Sequence, residues 1–258
     1  MLTFEQIKIE YDKEVFRKNS KAVLVEYLQH ELLDSIFKQK GSEKLSFIGG
    51  TAIRIVYGSQ RFSEDLDFDN FGLSFKAFGE ILEKVVRDME YKGFKLDFRL
   101  IEKGAYHCYI KFPNLLYENN MLDYADEKIL VRIDAVKKIK NTNPVIFVLN
   151  KFDIYRKILV NPVEVILSQK LIAILERKRE KGRDFYDVSF LLGKTNPDFS
   201  YLKKMRGYKD GEEFKKDFLK KIDSLKMEKL SQDVSPFLIN PDDKERVLSF
   251  REYIKQKL

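Results

Sequence analysis

A single cysteine, Cys108, stands in 258 residues. That excludes an internal disulfide and any cysteine-rich zinc site. Histidine is nearly as scarce, with only His30 and His107. Neither histidine, nor Cys108, has a partner at ligand or triad spacing, so all three read as structural residues. No apolar run approaches the roughly 18 residues that span a bilayer, so no membrane segment is expected. The N-terminal Met1-Leu-Thr-Phe-Glu5 lacks a basic stretch followed by an apolar one, and a cytoplasmic protein is expected. No internal repeat and no low-complexity tract interrupts the chain.

What is present is material for a core. Hydrophobic residues make up 44% of the chain, with 21 Phe and 13 Tyr, which argues against intrinsic disorder. Basic residues outnumber acidic ones by 48 to 41, a net +7. That excess suits a polyanionic partner, although lysine-rich surfaces also serve solubility alone. Helical spacing runs through residues 21–40, with Gly41 as the expected C-cap, and again through 74–92, closed by Gly93. Short strands are expected at 45–48 and 66–68, and longer ones at 94–101, 106–112 and 128–136. Residues 147–159 supply one or two more. Beyond Asn161-Pro162 the pattern is helical at 163–180, 183–193, 211–223 and 242–257. Two domains are expected, an α+β domain over 1–160 and a helical bundle over 161–258.

The informative segment is Phe47-Ile-Gly-Gly-Thr-Ala-Ile-Arg54, followed by Arg61-Phe-Ser-Glu-Asp-Leu-Asp-Phe68. A strand ending in Gly49-Gly50 and opening into a helix leaves backbone N–H groups at a helix N-terminus. Glycine there lets phosphates approach the backbone closely, and Thr51 adds a hydroxyl donor. Ser63, two residues before Asp65, either satisfies the loop or contacts a phosphate through its hydroxyl. Alternation along a strand turns Asp65 and Asp67 to one side and Leu66 and Phe68 to the core. Two carboxylates so close repel one another unless a cation neutralises them, and Mg²⁺ suits such oxygen donors. Two such ions would stabilise both the attacking and leaving oxygens of an in-line displacement. Asp69 shares that side but falls at the strand end and ranks lower.

Gly-Gly followed by Asp-x-Asp resembles the DNA polymerase beta-like nucleotidyltransferase superfamily. The fuller string Gly49-Gly50-Thr51-Ala52, Arg61, Ser63, Asp65-Leu66-Asp67-Phe68 is similar to the AbiEii/AbiGii-type nucleotidyltransferase toxins. A second block, Lys170, Ala173, Arg177 and Arg183-Asp184-Phe185-Tyr186-Asp187, resembles that family's Lys-x-x-Ala…Arg…Arg-Asp-x-x-Asp signature. The matched motifs span residues 47–190. Helical spacing puts positions 170, 173 and 177 on one face, so Lys170 and Arg177 project together past Ala173 and can clamp triphosphate oxygens. Asp184 and Asp187 follow at i and i+3 on the next helix, placed to orient those cations or to position the acceptor. The resemblance points to Lys170 and Asp184 as functional, with Asp187 capping or bracing the helix.

The resemblance also implies a third carboxylate on a neighbouring strand. Asp134, after the run Ile129-Leu-Val-Arg-Ile, is the favoured candidate and Asp97 its competitor; it would ligate the second metal or act as general base. The implied fold is a polymerase beta-like domain with a mixed sheet. The implied activity is Mg²⁺-dependent transfer of NMP from an NTP to an acceptor hydroxyl, RNA and in particular a tRNA 3′ end. A toxin of a type IV toxin–antitoxin or abortive-infection system, with an antitoxin encoded nearby, follows from the same resemblance. The basic run from Arg177 to Arg183 would suit an RNA backbone. The alternatives are a protein or aminoglycoside-like acceptor, or a non-catalytic nucleotide-binding module.

Overall fold

A computed structural model describes residues 1–118, 128–138 and 142–258. The chain divides into two compact units, residues 1–52 with 62–160, and residues 53–61 with 161–258.

The first unit is built on one seven-stranded mixed sheet. In chain order its elements are α1 (Phe4–Ile9), α2 (Lys13–Phe37), β1 (Leu45–Ile48), α3 (Gly49–Ile55), β2 (Leu66–Asn70), α4 (Phe75–Tyr91), β3 (Asp97–Lys103), β4 (Ala105–Phe112), α5 (Leu115–Glu118), β5 (Ile129–Lys137), β6 (Val145–Lys151) and β7 (Ile154–Val160). The boundary between units falls within α3, after Ala52. The strand order is β3-β4-β5-β2-β1-β7-β6. Strand β2 lies antiparallel to β1 and parallel to β5, while β1 is parallel to β7. The expected 147–159 stretch resolves into the β6–β7 hairpin.

Strand alternation decides which side of this sheet is core. Leu66 and Phe68 of β2, Phe47 of β1, Cys108 and Ile110 of β4, and Val131, Ile133 and Ala135 of β5 are fully buried. Helix α4 buries Phe78, Ile81, Leu82, Val85, Val86 and Met89, the i, i+3, i+4 stripe of an amphipathic helix. Helix α2 packs on α4, β5 and β7 with its own stripe of Leu28, Leu32 and Ile36. Each such large apolar side chain contributes about 1.5–3 kcal/mol on burial. The other face of the strands carries His107, Tyr109, Arg132, Asp134 and Asp67, all partly exposed. Asp12, not a later residue, starts α2, its carboxylate accepting from Glu14 and Val15 amides. Helix α2 ends at Phe37 with Lys38 as C-cap, four residues short of the glycine expected to close it. Gly41, at φ +101°, serves instead to turn the chain toward β1.

The second unit is helical: α6 (Val163–Glu176), α7 (Gly182–Leu192), α8 (Phe199–Arg206), α9 (Gly211–Asp223), α10 (Met227–Val234), α11 (Glu245–Leu248) and α12 (Phe250–Lys257). Leu167, Leu171, Phe185, Val188, Leu202, Phe218, Phe250 and Ile254 form its core. Phe185 meets Phe250 edge-on at 5.0 Å. Helix α6 stops at Glu176, short of the expected 180, because Arg177-Lys-Arg-Glu-Lys181 offers nothing apolar to bury. The expected 242–257 helix is broken at Ser249, which has non-helical dihedrals. Gly182 at the start of α7 admits α10 closely, since a Cβ there would sit 2.9 Å from the Leu230 carbonyl carbon.

Candidate active site

In the first unit the Gly-Gly turn and the Asp-x-Asp strand are brought together by register. Ile48 pairs with Asp67 across the antiparallel β1–β2 ladder, so the chain turns at Gly49 against the Asp67 side chain. Gly49 adopts φ +80°, and a Cβ there would lie 2.9 Å from both Cβ and Cγ of Asp67. Only glycine meets both demands. Gly50 is buried beside it. Thr51, the expected phosphate donor, is buried, and its hydroxyl donates to the Asp65 carbonyl, which pins Asp65 to the turn. Ser63 is fixed through its own carbonyl, which accepts from Gln29 Nε2 at 2.9 Å.

The parallel β2–β5 ladder then sets Asp67 directly beside Asp134. Asp97, the competitor, is exposed on the outer strand β3 opposite Lys111, with β4 and β5 separating β3 from β2. Two residues given no functional role from the sequence complete the group: Arg132, and His107, which had read as structural. Arg132 Nη2 donates to Asp65 Oδ2 at 2.8 Å, and its Nε lies 3.0 Å from Asp134 Oδ2. His107, the register neighbour of Asp134, places Nδ1 2.8 Å from Asp134 Oδ1. Burial alone would lower the Arg132 pKa, but Asp65, Asp134 and Asp67 together hold it above the ordinary arginine value. The signal for Arg132 was its alternation with Asp134 in Ile129-Leu-Val-Arg-Ile-Asp134; His107 gave none, because its partner is 27 residues away.

Among the described residues no three His, Cys, Asp or Glu side chains are already gathered as a metal cage. The donor set nevertheless fits a hard divalent cation. It consists of carboxylates on adjacent strands, Asp67 beside Asp134 with Asp65 just upstream, and hard oxygen donors of this kind suit Mg²⁺.

The second unit holds a separate charged cluster. Lys170 Nζ lies 2.9 Å from both Asp184 Oδ1 and Asp187 Oδ2. Arg177, one residue past the end of α6, brings Nε to 2.9 Å from Asp184 Oδ2. Arg61 grips Asp187 as a fork, Nε to Oδ1 at 2.7 Å and Nη2 to Oδ2 at 2.5 Å. Arg61 is 2% exposed, Asp187 0% and Lys170 14%. Burial would raise the Asp187 pKa, but Arg61 and Lys170 hold it below the usual carboxylate range. Burial would lower that of Lys170, and Asp184 and Asp187 outweigh it, so the lysine stays charged. Three cations against two carboxylates leave the cluster cationic. The remaining polar candidates are ordinary: His30 is buried with Nδ1 on the Glu26 carbonyl, and burial pushes the Cys108 thiol up to about 12.

The fold is that of nucleotidyltransferases. It matches the crystal structure of JHP933 from Helicobacter pylori at 18% identity and a TM-score of 0.57, over 92% of this chain and 91% of that one. It matches MenT4, the nucleotidyltransferase toxin Rv2826c from Mycobacterium tuberculosis H37Rv, at 14% identity and a TM-score of 0.61, over 99% of this chain and 90% of that one. No curated protein sequence matches the chain. The family model for the nucleotidyl transferase AbiEii toxin of type IV toxin–antitoxin systems matches residues 31–254. The chain belongs to that family and is a nucleotidyltransferase.

Proposed function

We propose that the protein transfers a nucleoside monophosphate from an NTP to a hydroxyl of RNA, with the 3′ end of tRNA as acceptor. The observation that carries this reading is Asp67 set beside Asp134, with Asp65 just upstream and Gly49 closed against Asp67. The acceptor oxygen attacks the α-phosphorus, the bond to the β-bridging oxygen breaks, and pyrophosphate leaves. Asp134, oriented by His107, takes up the hydroxyl proton. Asp65, Asp67 and Asp134 would hold Mg²⁺, two ions on the expectation above, which when bound neutralises charge on the triphosphate. Backbone amides at Gly49 and Gly50 and the Ser63 hydroxyl are the proposed contacts to phosphate. Lys170 and Arg177 are the proposed cationic donors to the triphosphate, with Asp184 fixing both. Asp187, held by Arg61, braces Lys170.

RNA is favoured as acceptor by the exposed Arg177, Lys178 and Arg179. Arg179, Lys226 and Lys229 also line a cavity of about 270 Å³ in the second unit. Its two carboxylates are already engaged, Glu180 with Lys221 at 2.8 Å and Asp233 with the Gly182 amide at 2.7 Å. The family implies a cognate antitoxin as protein partner. The test is incubation with each α-³²P-labelled NTP in turn plus total tRNA, then a gel. Label on tRNA with one NTP supports the reading; label on a protein or a small molecule moves the acceptor; no transfer with any of these acceptors refutes it.

A further inference from the structure

Alternation along β5 puts Arg132 and Asp134 on the same face, and the β2 register brings Asp67 and, just before it, Asp65 to that place. The guanidinium is divided. It gives Asp65 one good hydrogen bond of 2.8 Å, but at Asp134 its buried Nε has only a 3.0 Å charge contact. Among the described residues that Nε makes no aligned hydrogen bond. Arginine binds carboxylates best as a bidentate fork on one partner, as Arg61 does on Asp187. Arg132 instead spans two, which is how a metal ion uses carboxylates. A single guanidinium shared between Asp65 and Asp134 is a weaker partner for them than a divalent cation, which brings twice the charge at shorter range. The Arg132 side chain is 39% exposed, so it has room to swing away.

We propose that Arg132 is a resident counter-charge on this site: it holds Asp65 and Asp134 when no divalent cation is bound and yields them when one arrives. The proposal rests on the reading of Asp65, Asp67 and Asp134 as the cation site. Two consequences follow. Cation alone binds weakly, because it must displace Arg132. A polyphosphate offers the displaced guanidinium new acceptors, so cation and polyphosphate bind cooperatively. The fold-level effect is an enzyme loaded by the metal–triphosphate complex rather than by free metal.

The experiment is Mn²⁺ titration of the full chain by electron paramagnetic resonance, with and without tripolyphosphate, for wild type, R132Q and R132K. R132Q is expected to bind Mn²⁺ about tenfold more tightly than wild type, the scale of losing one competing charge at this range. The gain from tripolyphosphate should be smaller in R132Q than in wild type, and R132K should fall between the two. Melting in EDTA should show R132Q less stable than wild type, with Mn²⁺ restoring it. Equal or weaker Mn²⁺ binding by R132Q, with D65N and D67N abolishing it in both, overturns the role of Arg132 alone. If R132Q is unfolded in EDTA, R132K decides, and R132K no tighter than wild type overturns the role. Absence of Mn²⁺ binding in all of these proteins overturns the cation site and the role of Arg132 together.

Discussion

Asp67 and Asp134 stand side by side on neighbouring parallel strands, with their Cα positions in register. The ladder puts Asp134 beside the Asp-x-Asp pair, while Asp97 lies on β3, with β4 and β5 between it and β2. Everything proposed for the chemistry begins from that pairing.

The turn that delivers Asp67 tolerates only glycine. G49A combines a φ of +80° with a Cβ 2.9 Å from Asp67 Cβ, and is expected to cost about 1–3 kcal/mol and to depress transfer sharply. G58A is the control. Gly58 has φ +77° but nothing within 4 Å of an added Cβ, so strain alone, about 1 kcal/mol, should appear with transfer largely kept. Thermal melts and transfer assays on both variants check this, and similar behaviour would reduce Gly49 to backbone freedom.

Asp187 is predicted to matter for folding above all. D187A removes the carboxylate that the buried Arg61 grips as a fork and that Lys170 also contacts, at a cost of about 3–5 kcal/mol. The sign with pH follows from the lowered pKa. Asp187 contributes stability above the unfolded carboxyl value of about 4 and loses it as pH falls below that. Urea unfolding of wild type and D187N should therefore differ at pH 7 and converge under acid. A difference independent of pH would refute the ion-pair account.

Lys170 has both a stability and a catalytic consequence. It is held between two buried carboxylates, so K170A should lower the melting temperature as well as slow transfer by about a hundredfold or more. K170R keeps the charge and should recover stability better than rate, because a fork replaces a point charge. Full rate in K170A with a lowered melting temperature would make Lys170 purely structural.

Much of this was legible. The strand at 45–48, its Gly-Gly turn and the amphipathic 74–92 pattern announce themselves through short-range periodicity. The second motif was legible through its resemblance to the family's signature, and its members Lys170, Arg177 and Asp184 lie within one helix-turn-helix stretch. What escaped depends on distant partners. Arg61 and Asp187 are separated by 126 residues, and His107 finds Asp134 only through the β4–β5 register. The grouping of residues 53–61 with the second unit has no compositional mark. Helices α1, α8 and α10 are six to eight residues long, too short for periodicity to stand out.

If RNA is the acceptor, affinity should fall steeply with salt, because each phosphate neutralised releases counterions. Reversing the charges of Lys178 and Arg179 should weaken binding at low salt and flatten the slope of log K against log salt. Filter-binding titrations at several salt concentrations check it. Equal slopes for both proteins would place the RNA contact elsewhere or point to a different acceptor.

The most direct test of the carboxylate site is transfer of label from an α-³²P NTP by wild type, D65N and D67N, with circular dichroism on each. Asparagine keeps the shape and removes the charge, so both variants should remain folded and as stable as wild type or more so. Transfer should drop by about a thousandfold or more in each. Undiminished transfer in both folded variants would contradict the assignment of Asp65 and Asp67 to the chemistry.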